Sequence, residues 1–248
     1  MAPHKSSALI LSTQSFRESS LICTCFSHSH GLFKGIAKGI KSARRNEQSL
    51  FERGMLVEQM VYRKPHRELH LLTKSCVVDY FEVTRADLKK TAVRDAAFEL
   101  IIKTVSADHP HAELFDVLMA FLQQLETGDA AESVLRLTRF YYDFAKHMGV
   151  VFDIDECYKC GRLITGGASL SIAEGKCVCE GCLRQRGPNF LPASLISLLT
   201  APSSDSGAAY NLTGKEQMGA ARLLADYNAY HAHVSNRFNA LDFLASII

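Results

Sequence analysis

Four cysteines in the second half of the chain have the spacing of a metal site. Cys157 and Cys160 form one C-x-x-C motif, and Cys179 and Cys182 form a second motif after 18 intervening residues. Each motif closes a tight loop that can direct two thiolates toward one point, and two such loops complete the tetrahedral shell that structural Zn²⁺ prefers. The separation lies within the pattern typical of zinc sites. We therefore predict one structural Zn²⁺ per chain, bound by these four thiolates.

The other cysteines are predicted not to bind the metal. Cys177 stands two residues before Cys179, at a position typical of a small strand residue. Cys23, Cys25 and Cys76 lie in apolar strand contexts and are expected to be small core residues. Four thiolate ligands leave no open coordination position for water, so the metal would stabilise the protein and would not catalyse a reaction.

An enzyme is the alternative to a protein with a purely structural metal. The sequence has no phosphate-binding P-loop, no G-x-S-x-G and no H-E-x-x-H motif. A zinc nucleobase deaminase is the closest enzyme alternative, because His66-Arg67-Glu68 spells H-x-E upstream of Cys157. Glu156 stands where such enzymes have proline, however, and the second C-x-x-C motif would have no role. A C-x-x-C redox role is disfavoured because two such pairs at the spacing of a zinc ribbon favour metal binding. We therefore expect a protein that is not an enzyme.

Positive charge is concentrated at the start of the chain. The whole chain has a net charge of +2, but residues 1–80 hold 12 Lys or Arg against 6 Asp or Glu, a net of +6. The remaining residues hold 16 against 20, a net of −4. This asymmetry is expected when one half of a protein contacts a polyanion and the other does not.

Within the basic half, one segment is a candidate nucleic-acid contact. No acidic residue occurs between Glu18 and Glu47. As a strand, the segment would place Lys34 and Lys38 on one face with Leu32, Ile36 and Ile40, before a basic loop. Glycines at positions 31, 35 and 39 disfavour a helix and would let a nucleic-acid backbone approach closely. A solvated charged loop is the alternative. The predicted DNA-binding residues are Lys34, Lys38, Lys41, Arg44 and Arg45.

Hydrophobic periodicity divides the chain into a β half and a helical half. Five short β-prone runs occur between residues 8 and 73, which suits an N-terminal OB-fold barrel. From about Asp87 the apolar spacing becomes helical, with capping boxes at Asp129-x-x-Glu132 and Thr213-x-x-Glu216. The predicted fold is α+β, with an OB-fold domain over 1–82 and a helical domain over 83–248 that contains the zinc element at about 155–185.

The sequence also indicates where the protein works. There is no secretory signal at the N-terminus and no apolar run approaching the roughly 18 residues of a membrane helix. We expect a cytoplasmic protein without a membrane partner, in which closely spaced cysteines bind metal and do not form disulfides.

Several runs of the sequence resemble the bacterial RecO family. They are Ala8–Thr13, Glu18–Leu21, the run His30-Gly31-Leu32-Phe33-Lys34-Gly35-Ile36-Ala37-Lys38-Gly39, the segment Gly175–Cys182, and the closing run from Tyr230 to Leu244. They occur in the family's order from one end of the chain to the other. The resemblance implies an OB-fold, a helical bundle and a zinc element inserted in that bundle.

The resemblance also implies a function in DNA repair and recombination. Members of this family bind single- and double-stranded DNA and anneal complementary strands. With RecR they help to load RecA onto DNA coated by single-strand binding protein, at the nucleoid. The family's DNA contacts would carry over to the five basic residues at 34–45, and Phe26, Phe33 and Phe51 are the chief candidates for base stacking. Partner proteins would contact the helical half, with Phe115, Leu118 and Phe121 as either contact or core residues. A zinc-stabilised protein-interaction scaffold without direct DNA function is the alternative.

Overall fold

The computed structural model describes residues 3–42, 49–63, 67–201 and 210–248. The chain forms two compact units, Met1–Ala130 and Ala131–Ile248. In the described residues, the first unit contains a β-barrel followed by helices, and the second contains helices around a small sheet. None of the described helices has both the length and the apolar character needed to cross a membrane.

The first unit is built on a closed five-stranded barrel. Its strands are β1 (His4–Phe16), β2 (Ser20–Ser27), β3 (Gly31–Ala37), β4 (Leu56–Tyr62) and β5 (Leu69–Asp79). Neighbouring strands follow the order β1-β2-β3-β5-β4, and β4 closes back on β1. All pairs are antiparallel except β3 with β5, which is parallel. This is the topology of an OB-type barrel and confirms the predicted fold class.

Alternating small and apolar side chains fill the barrel. Cys23, Cys25 and Phe33 are buried in this core, as predicted for the two cysteines. The prediction was wrong for Cys76, which is exposed. The register between β4 and β5 is irregular before this point, and Lys74 has a positive φ of 48°. Cys76 then pairs with Glu58, outside the core.

Three helices follow the barrel within the first unit. They are α1 (Glu82–Ala86), α2 (Leu88–Thr104) and α3 (Ala112–Thr127). The Phe26 and Phe115 ring centroids lie 5.8 Å apart, so α3 packs on the outer side of β2. The Asp108 backbone N–H donates to the Leu32 carbonyl at 2.7 Å, which holds the α2–α3 connection against β3. Phe115, Leu118 and Phe121 are buried, so they serve as core residues here. The predicted domains, 1–82 and 83–248, stay a prediction about independent folding.

The second unit is organised around a helix pair. The helices of this unit are α4 (Ser133–His147), α5 (Ala193–Thr200), α6 (Gly214–His231) and α7 (Asn239–Ser246). The side-chain NH₂ group of the buried Asn228 donates to the Tyr141 carbonyl at 3.0 Å and to the Leu224 carbonyl at 2.8 Å, which fixes α6 against α4. Buried polar donors usually have such hydrogen-bond partners.

The two predicted capping boxes have different outcomes. Thr213 and Glu216 form a complete capping box at the start of α6, as predicted. The box predicted at Asp129-x-x-Glu132 is wrong, because a 3-10 turn over Ala130–Glu132 precedes α4. Glu132 occupies the N-cap position of α4 without a side-chain capping bond and pairs instead with Arg136.

A small three-stranded sheet is inserted between α4 and α5. Its strands are β6 (Ala168–Ser171), β7 (Lys176–Cys179) and β8 (Phe190–Leu191), in the order β7-β6-β8. The segment that leads into it is anchored by Phe152, whose ring lies between the rings of Tyr142 and Tyr227 at 5.3 and 5.0 Å. The Tyr227 hydroxyl also donates to the Val150 carbonyl at 2.6 Å. The inserted sheet is thereby tied to α4 and α6.

Candidate metal centre and nucleic-acid interface

The structure brings the four predicted ligands together at one end of the inserted sheet. The sulfur atoms of Cys157, Cys160, Cys179 and Cys182 all lie within 4.8 Å of one another. The Cys160 and Cys179 sulfurs are 3.9 Å apart. A tetrahedral site with metal–sulfur bonds of about 2.3 Å requires sulfur–sulfur distances of roughly 3.8 Å. The cluster therefore fits a tetrahedral metal ion in both donor type and size.

The first C-x-x-C motif is a tight turn held by backbone hydrogen bonds. Cys157 N–H donates to the Arg162 carbonyl at 2.8 Å, and Gly161 N–H donates to the Cys157 carbonyl at 2.8 Å. Gly161 has a positive φ of 68°, which the turn needs to reverse direction after Cys160. This turn directs both thiols of the motif toward the same side.

The second motif follows the end of β7. Cys179 is the last residue of β7, and a 3-10 turn over Glu180–Cys182 brings the next thiol back to it. The Glu180 N–H donates to the Gly167 carbonyl at 2.9 Å, and the Leu183 N–H donates to the Glu180 carbonyl at 3.1 Å. The sheet thus supplies one motif and the preceding loop supplies the other.

The electrostatics of the cluster favour a bound cation. The backbone N–H of Cys179 donates to the Cys157 sulfur at 3.3 Å and is the main reason that the pKa of Cys157 falls to about 6, against the opposing effect of burial. The pKa of Cys182 rises to about 12, first because of its hydrogen bond with Cys160 and then that with Cys179. Sulfurs this close do not all ionise without a positive charge between them, which a metal ion would supply.

Cys177 is not part of the cluster. Its side chain is fully buried, and burial raises the pKa of its thiol to about 12. Its backbone carbonyl accepts a hydrogen bond from Tyr158 N–H at 2.9 Å, so the residue supports the first turn through its main chain.

The deaminase alternative finds no support in this geometry. Of the residues that the structure describes, the four cysteines are the one group with the composition and spacing of a metal site. His66 of the H-x-E motif lies outside the described residues, and Glu68 is exposed near the start of β5. The described ligand set contains sulfur alone.

The described candidates for DNA binding, Lys34, Lys38 and Lys41, lie in β3 and in the segment that follows it. Lys34 lies on the outer face of β3, between Leu32 and Ile36, and is exposed.

The prediction that Lys38 and Ile40 continue this face is wrong, because β3 ends at Ala37 and Gly39 has a positive φ of 72°. Lys38 is exposed beyond the strand, while Ile40 packs against the barrel core. Arg44 and Arg45 lie outside the described residues.

Lys41 lies beside a basic residue that sequence reasoning missed. Its ammonium group donates to the Arg17 carbonyl at 3.3 Å, and its backbone N–H donates to the Ser19 carbonyl at 3.0 Å. The segment after β3 is therefore held against the β1–β2 turn, where Arg17 is exposed. The adjacent Glu18 cancels the charge of Arg17 in the sequence, so only the tertiary contact reveals this neighbour.

Two of the three glycines of this segment, Gly31 and Gly35, accommodate the protein's own atoms. A side chain at Gly35 would place its Cβ 2.4 Å from the Leu72 side chain inside the barrel. At Gly31 the Cβ would lie 1.7 Å from the His109 carbonyl oxygen, and φ is +64°. The expected close approach of a nucleic-acid backbone at these two glycines was therefore wrong.

An apolar row crosses the outer face of the barrel next to Lys34. The strand registers place Ile22 opposite Ile36, Ile36 beside Leu71, and Leu71 opposite Tyr62. All four side chains are half-buried. The predicted stacking residues Phe26, Phe33 and Phe51 are instead all buried. Tyr62 is thus the aromatic residue of the row, and lysines beside an apolar row can bind phosphates and bases together.

Comparisons with known proteins agree with this arrangement. The family model described as "Recombination protein O N terminal" matches residues 1–81, and "Recombination protein O C terminal" matches residues 85–239. The chain is 29% identical over 249 residues to the DNA repair protein RecO of Geobacter sulfurreducens, covering 100% of this chain and 99% of that protein. It is 28% identical over 251 residues to the RecO of Geobacter metallireducens, with the same coverage. It is 26% identical over 248 residues to that of Myxococcus xanthus, covering 100% and 99%. The chain therefore belongs to the RecO family of DNA repair proteins.

Proposed function

We propose that this protein is a non-enzymatic recombination mediator. In this role it binds single- and double-stranded DNA, anneals complementary strands and, with RecR, helps to load RecA onto DNA coated by single-strand binding protein. The observation that supports the proposal most directly is the exposure of Lys34 and Lys38 along an OB-type barrel in a RecO family chain. The protein would act in the cytoplasm, at the nucleoid, where its DNA partner lies.

The lysines support binding that does not depend on base sequence. Lys34, Lys38 and Lys41 follow one another from the outer face of β3 to the 3-10 turn over Ile40–Ser42. Ammonium groups in such a line can contact successive phosphates, which carry no base information. The apolar row beside Lys34 offers a surface for unstacked bases, so a single strand can use both features.

The metal in this proposal is one structural Zn²⁺ per chain. Four sulfur ligands at tetrahedral spacing match the donor set that zinc takes in structural sites. Cys157, Cys160, Cys179 and Cys182 would hold it, and it would stabilise the inserted sheet without a position for substrate. The first unit, which carries the lysines, contributes none of these ligands.

The test is strand annealing without nucleotide. Complementary strands are coated with the cognate single-strand binding protein, and annealing is followed by fluorescence. We expect annealing by the wild type, and a loss of at least roughly tenfold in DNA affinity for the Lys34→Glu, Lys38→Glu, Lys41→Glu variant. The slope of log affinity against log salt should also fall by roughly 2, because each lost phosphate contact on a single strand removes roughly 0.7.

A matched control separates the segment from net charge. Changing Lys146, Arg184 and Lys215 to Glu also lowers the net charge from +2 to −4, since each substitution removes two charge units, but at exposed sites of the second unit. The control should bind DNA much more tightly than the first variant. Equal losses in both would remove the segment from the proposal, and annealing that requires ATP would contradict the absence of catalysis.

A protein-binding scaffold without DNA contact is the second candidate. Val78, Tyr80, Val83 and Leu88 are exposed apolar side chains near the junction of β5 with α1 and α2. Such residues can contact another protein. A scaffold of this kind would show no salt-dependent DNA affinity, so the same titration distinguishes the two functions.

A further inference from the structure

A cluster of histidines and arginine occupies the end of the barrel at which β3 begins. His4 lies at the start of β1, His30 directly precedes β3, and His70 lies near the start of β5. Arg63 follows the end of β4, and Asp108 comes from the connection between α2 and α3. Side chains from β1, β5, the turn before β3, the end of β4 and the α2–α3 connection therefore lie at one end of the first unit.

The rings and charged groups of the cluster form a continuous set of contacts. The His30 ring centroid lies 6.2 Å from that of His4 and 6.2 Å from that of Phe33, and the Phe33 ring lies 6.2 Å from His70. His70 is buried, and its Nε2 lies 3.4 Å from an Asp108 carboxylate oxygen. Arg63 forms an ion pair with the same oxygen. The His30 Nδ1 lies 2.6 Å from the Ser29 hydroxyl.

Basic side chains surround His30. Its pKa lies below the usual 6.5, first because of partial burial and then because of the nearby Arg63, His4 and His70. Asp108 opposes this effect but does not outweigh it. A site where neighbouring positive groups disfavour a further proton is also a site that favours an anion.

We infer that this cluster binds a phosphate group of a nucleic-acid strand. The inference deepens the proposed DNA binding and rests on it. Lys34 pairs in register with Leu69, the residue next to His70, so the cluster continues the line of Lys34, Lys38 and Lys41 toward the opposite end of the barrel. The β4–β5 connection, which contains the exposed Arg67, also begins here, and this loop of an OB-type barrel commonly contacts nucleic acid.

The residues of the cluster divide into contacts and supports. His30 and His4 are accessible enough to donate to a phosphate when protonated, since His4 is exposed and His30 is half-buried. Arg63 supplies a fork of donors suited to phosphate once it turns from Asp108. The buried His70 is a positioning residue, because it contacts Asp108 and has almost no exposed surface.

Phosphate binding at this cluster has a defined pH dependence. A bound phosphate favours the protonated form of His30, so binding takes up a proton where the free site is neutral. The affinity for DNA should therefore increase as the pH falls through the pKa of His30, which lies below 6.5 in the free protein. Asp108 competes with the phosphate for Arg63, and its removal should increase affinity even at neutral pH.

The experiment compares full-length variants by titration of a labelled oligothymidine at roughly pH 5.5 and roughly pH 8. Asp108→Asn is the decisive variant, because Asp108 has a positive φ of 61°, a conformation that Asn adopts readily, so the fold should persist. It should tighten binding at the higher pH by roughly three- to fivefold, the change that corresponds to an exposed charge interaction of up to about 1 kcal/mol. Structural damage would not produce a gain.

Two histidine variants test the pH dependence. His30→Gln should lose at least half of the increase in affinity that the wild type shows on acidification. His28→Gln is the matched control, because His28 lies in the same turn but is exposed and contacts Phe115 outside the cluster. It should retain the full increase, and thermal unfolding checks that both variants fold.

The outcomes separate this inference from the proposed function. If Asp108→Asn does not bind more tightly and His30→Gln behaves like His28→Gln, the cluster is not a phosphate site. If the triple-lysine variant nevertheless loses DNA affinity, the proposal that the lysines bind DNA still holds. A wild type that binds no DNA at either pH would overturn both.

Discussion

Cys177 lies two residues before a predicted metal ligand, yet its thiol has a different environment. Burial raises the pKa of Cys177 to about 12, whereas the Cys179 backbone N–H helps to lower that of Cys157 to about 6. The spacing of the two C-x-x-C motifs was enough to predict which thiols converge, because each motif constrains its own turn. The small strand position predicted for Cys177 is confirmed, because the residue lies in β7 and is fully buried.

We expect purified protein to contain about one zinc per chain. Cys177→Ser should keep this stoichiometry, because its sulfur lies outside the cluster. Cys160→Ser should reduce it to well under half, because removing one of four thiolates leaves an incomplete tetrahedral shell. Elemental analysis of protein that has never met a chelator makes the measurement. Loss of zinc in Cys177→Ser with retention in Cys160→Ser would mean that the ligand set is wrong.

Residue types alone did not predict which side chains of the barrel are accessible. Phe33 looks suited to base stacking in the sequence, but its ring is buried in the barrel. Tyr62 was missed, although the alternation of buried and half-buried residues along β4 places it on the outer face. The direction of a strand side chain depends on register, which a single run of sequence does not fix.

At the scale of elements, periodicity predicted the strands and long helices but not their ends. All five barrel strands lie where alternation predicted them, and α2 and α3 follow the helical spacing. The end of β3 was missed, because Gly39 permits a left-handed turn that carries Lys38 off the strand. The short α1 was also missed, since its five residues are stabilised by a distant side chain.

That side chain is Glu126 of α3, which caps α1. Its carboxylate accepts hydrogen bonds from Val83 N–H at 2.8 Å and from Thr84 N–H at 2.9 Å, and from the Thr84 hydroxyl at 2.8 Å. Burial alone would raise the pKa of Glu126, but these bonds lower it below the usual 4.5. The N-cap residue of α1, Phe81, makes no side-chain cap of its own.

We expect Glu126→Gln to destabilise the protein by about 1 kcal/mol at neutral pH. The substitution replaces hydrogen bonds to a charged carboxylate, whose strength solvent partly screens, by weaker bonds to a neutral amide. The pKa of Glu126 is lower in the folded protein than in the unfolded chain. The carboxylate therefore stabilises the fold fully at a pH above the unfolded-state pKa, and this stabilisation is lost as the pH falls through the folded-state pKa. The difference from wild type should therefore shrink in acid. Denaturant unfolding at neutral pH and at roughly pH 3.5 measures it. Asp116→Asn, at an exposed site of the same helix, is the control, and an equal effect there would contradict the capping role.

At the scale of the whole chain, the barrel was predictable and the assignment of helices to the two compact units was not. Five short strands with little between them leave few ways to bury their apolar faces other than closure. From the sequence we assigned residues 83–248, and with them the helices after the barrel, to one helical domain. Phe26 lies on the outer side of β2 and packs against Phe115 of α3. This contact joins α3 to the barrel, and α1 to α3 belong to the first unit.

Because the chain forms two compact units, we expect removal of the metal to affect the second unit locally. In small zinc-dependent domains, metal binding is coupled to folding by on the order of 10 kcal/mol. Here the inserted sheet has other anchors: the Phe152 ring packs 5.0 Å from that of Tyr227, and His231 Nε2 lies 2.9 Å from the Ile172 carbonyl oxygen. The α4–α6 pair is held by Asn228 independently of the sulfur cluster.

Chelation of the metal should therefore increase hydrogen exchange across residues 155–182 while leaving the barrel strands and α6 protected. Oligothymidine affinity should change less than twofold, because Lys34, Lys38 and Lys41 belong to the first unit and no metal ligand does. Hydrogen exchange followed by mass spectrometry measures the first effect, and DNA titration of the same sample measures the second. Both are carried out before chelation, after chelation and after zinc is restored. Global loss of protection would show that the metal stabilises the whole chain. Loss of affinity with the barrel still protected would place part of the DNA surface on the zinc element.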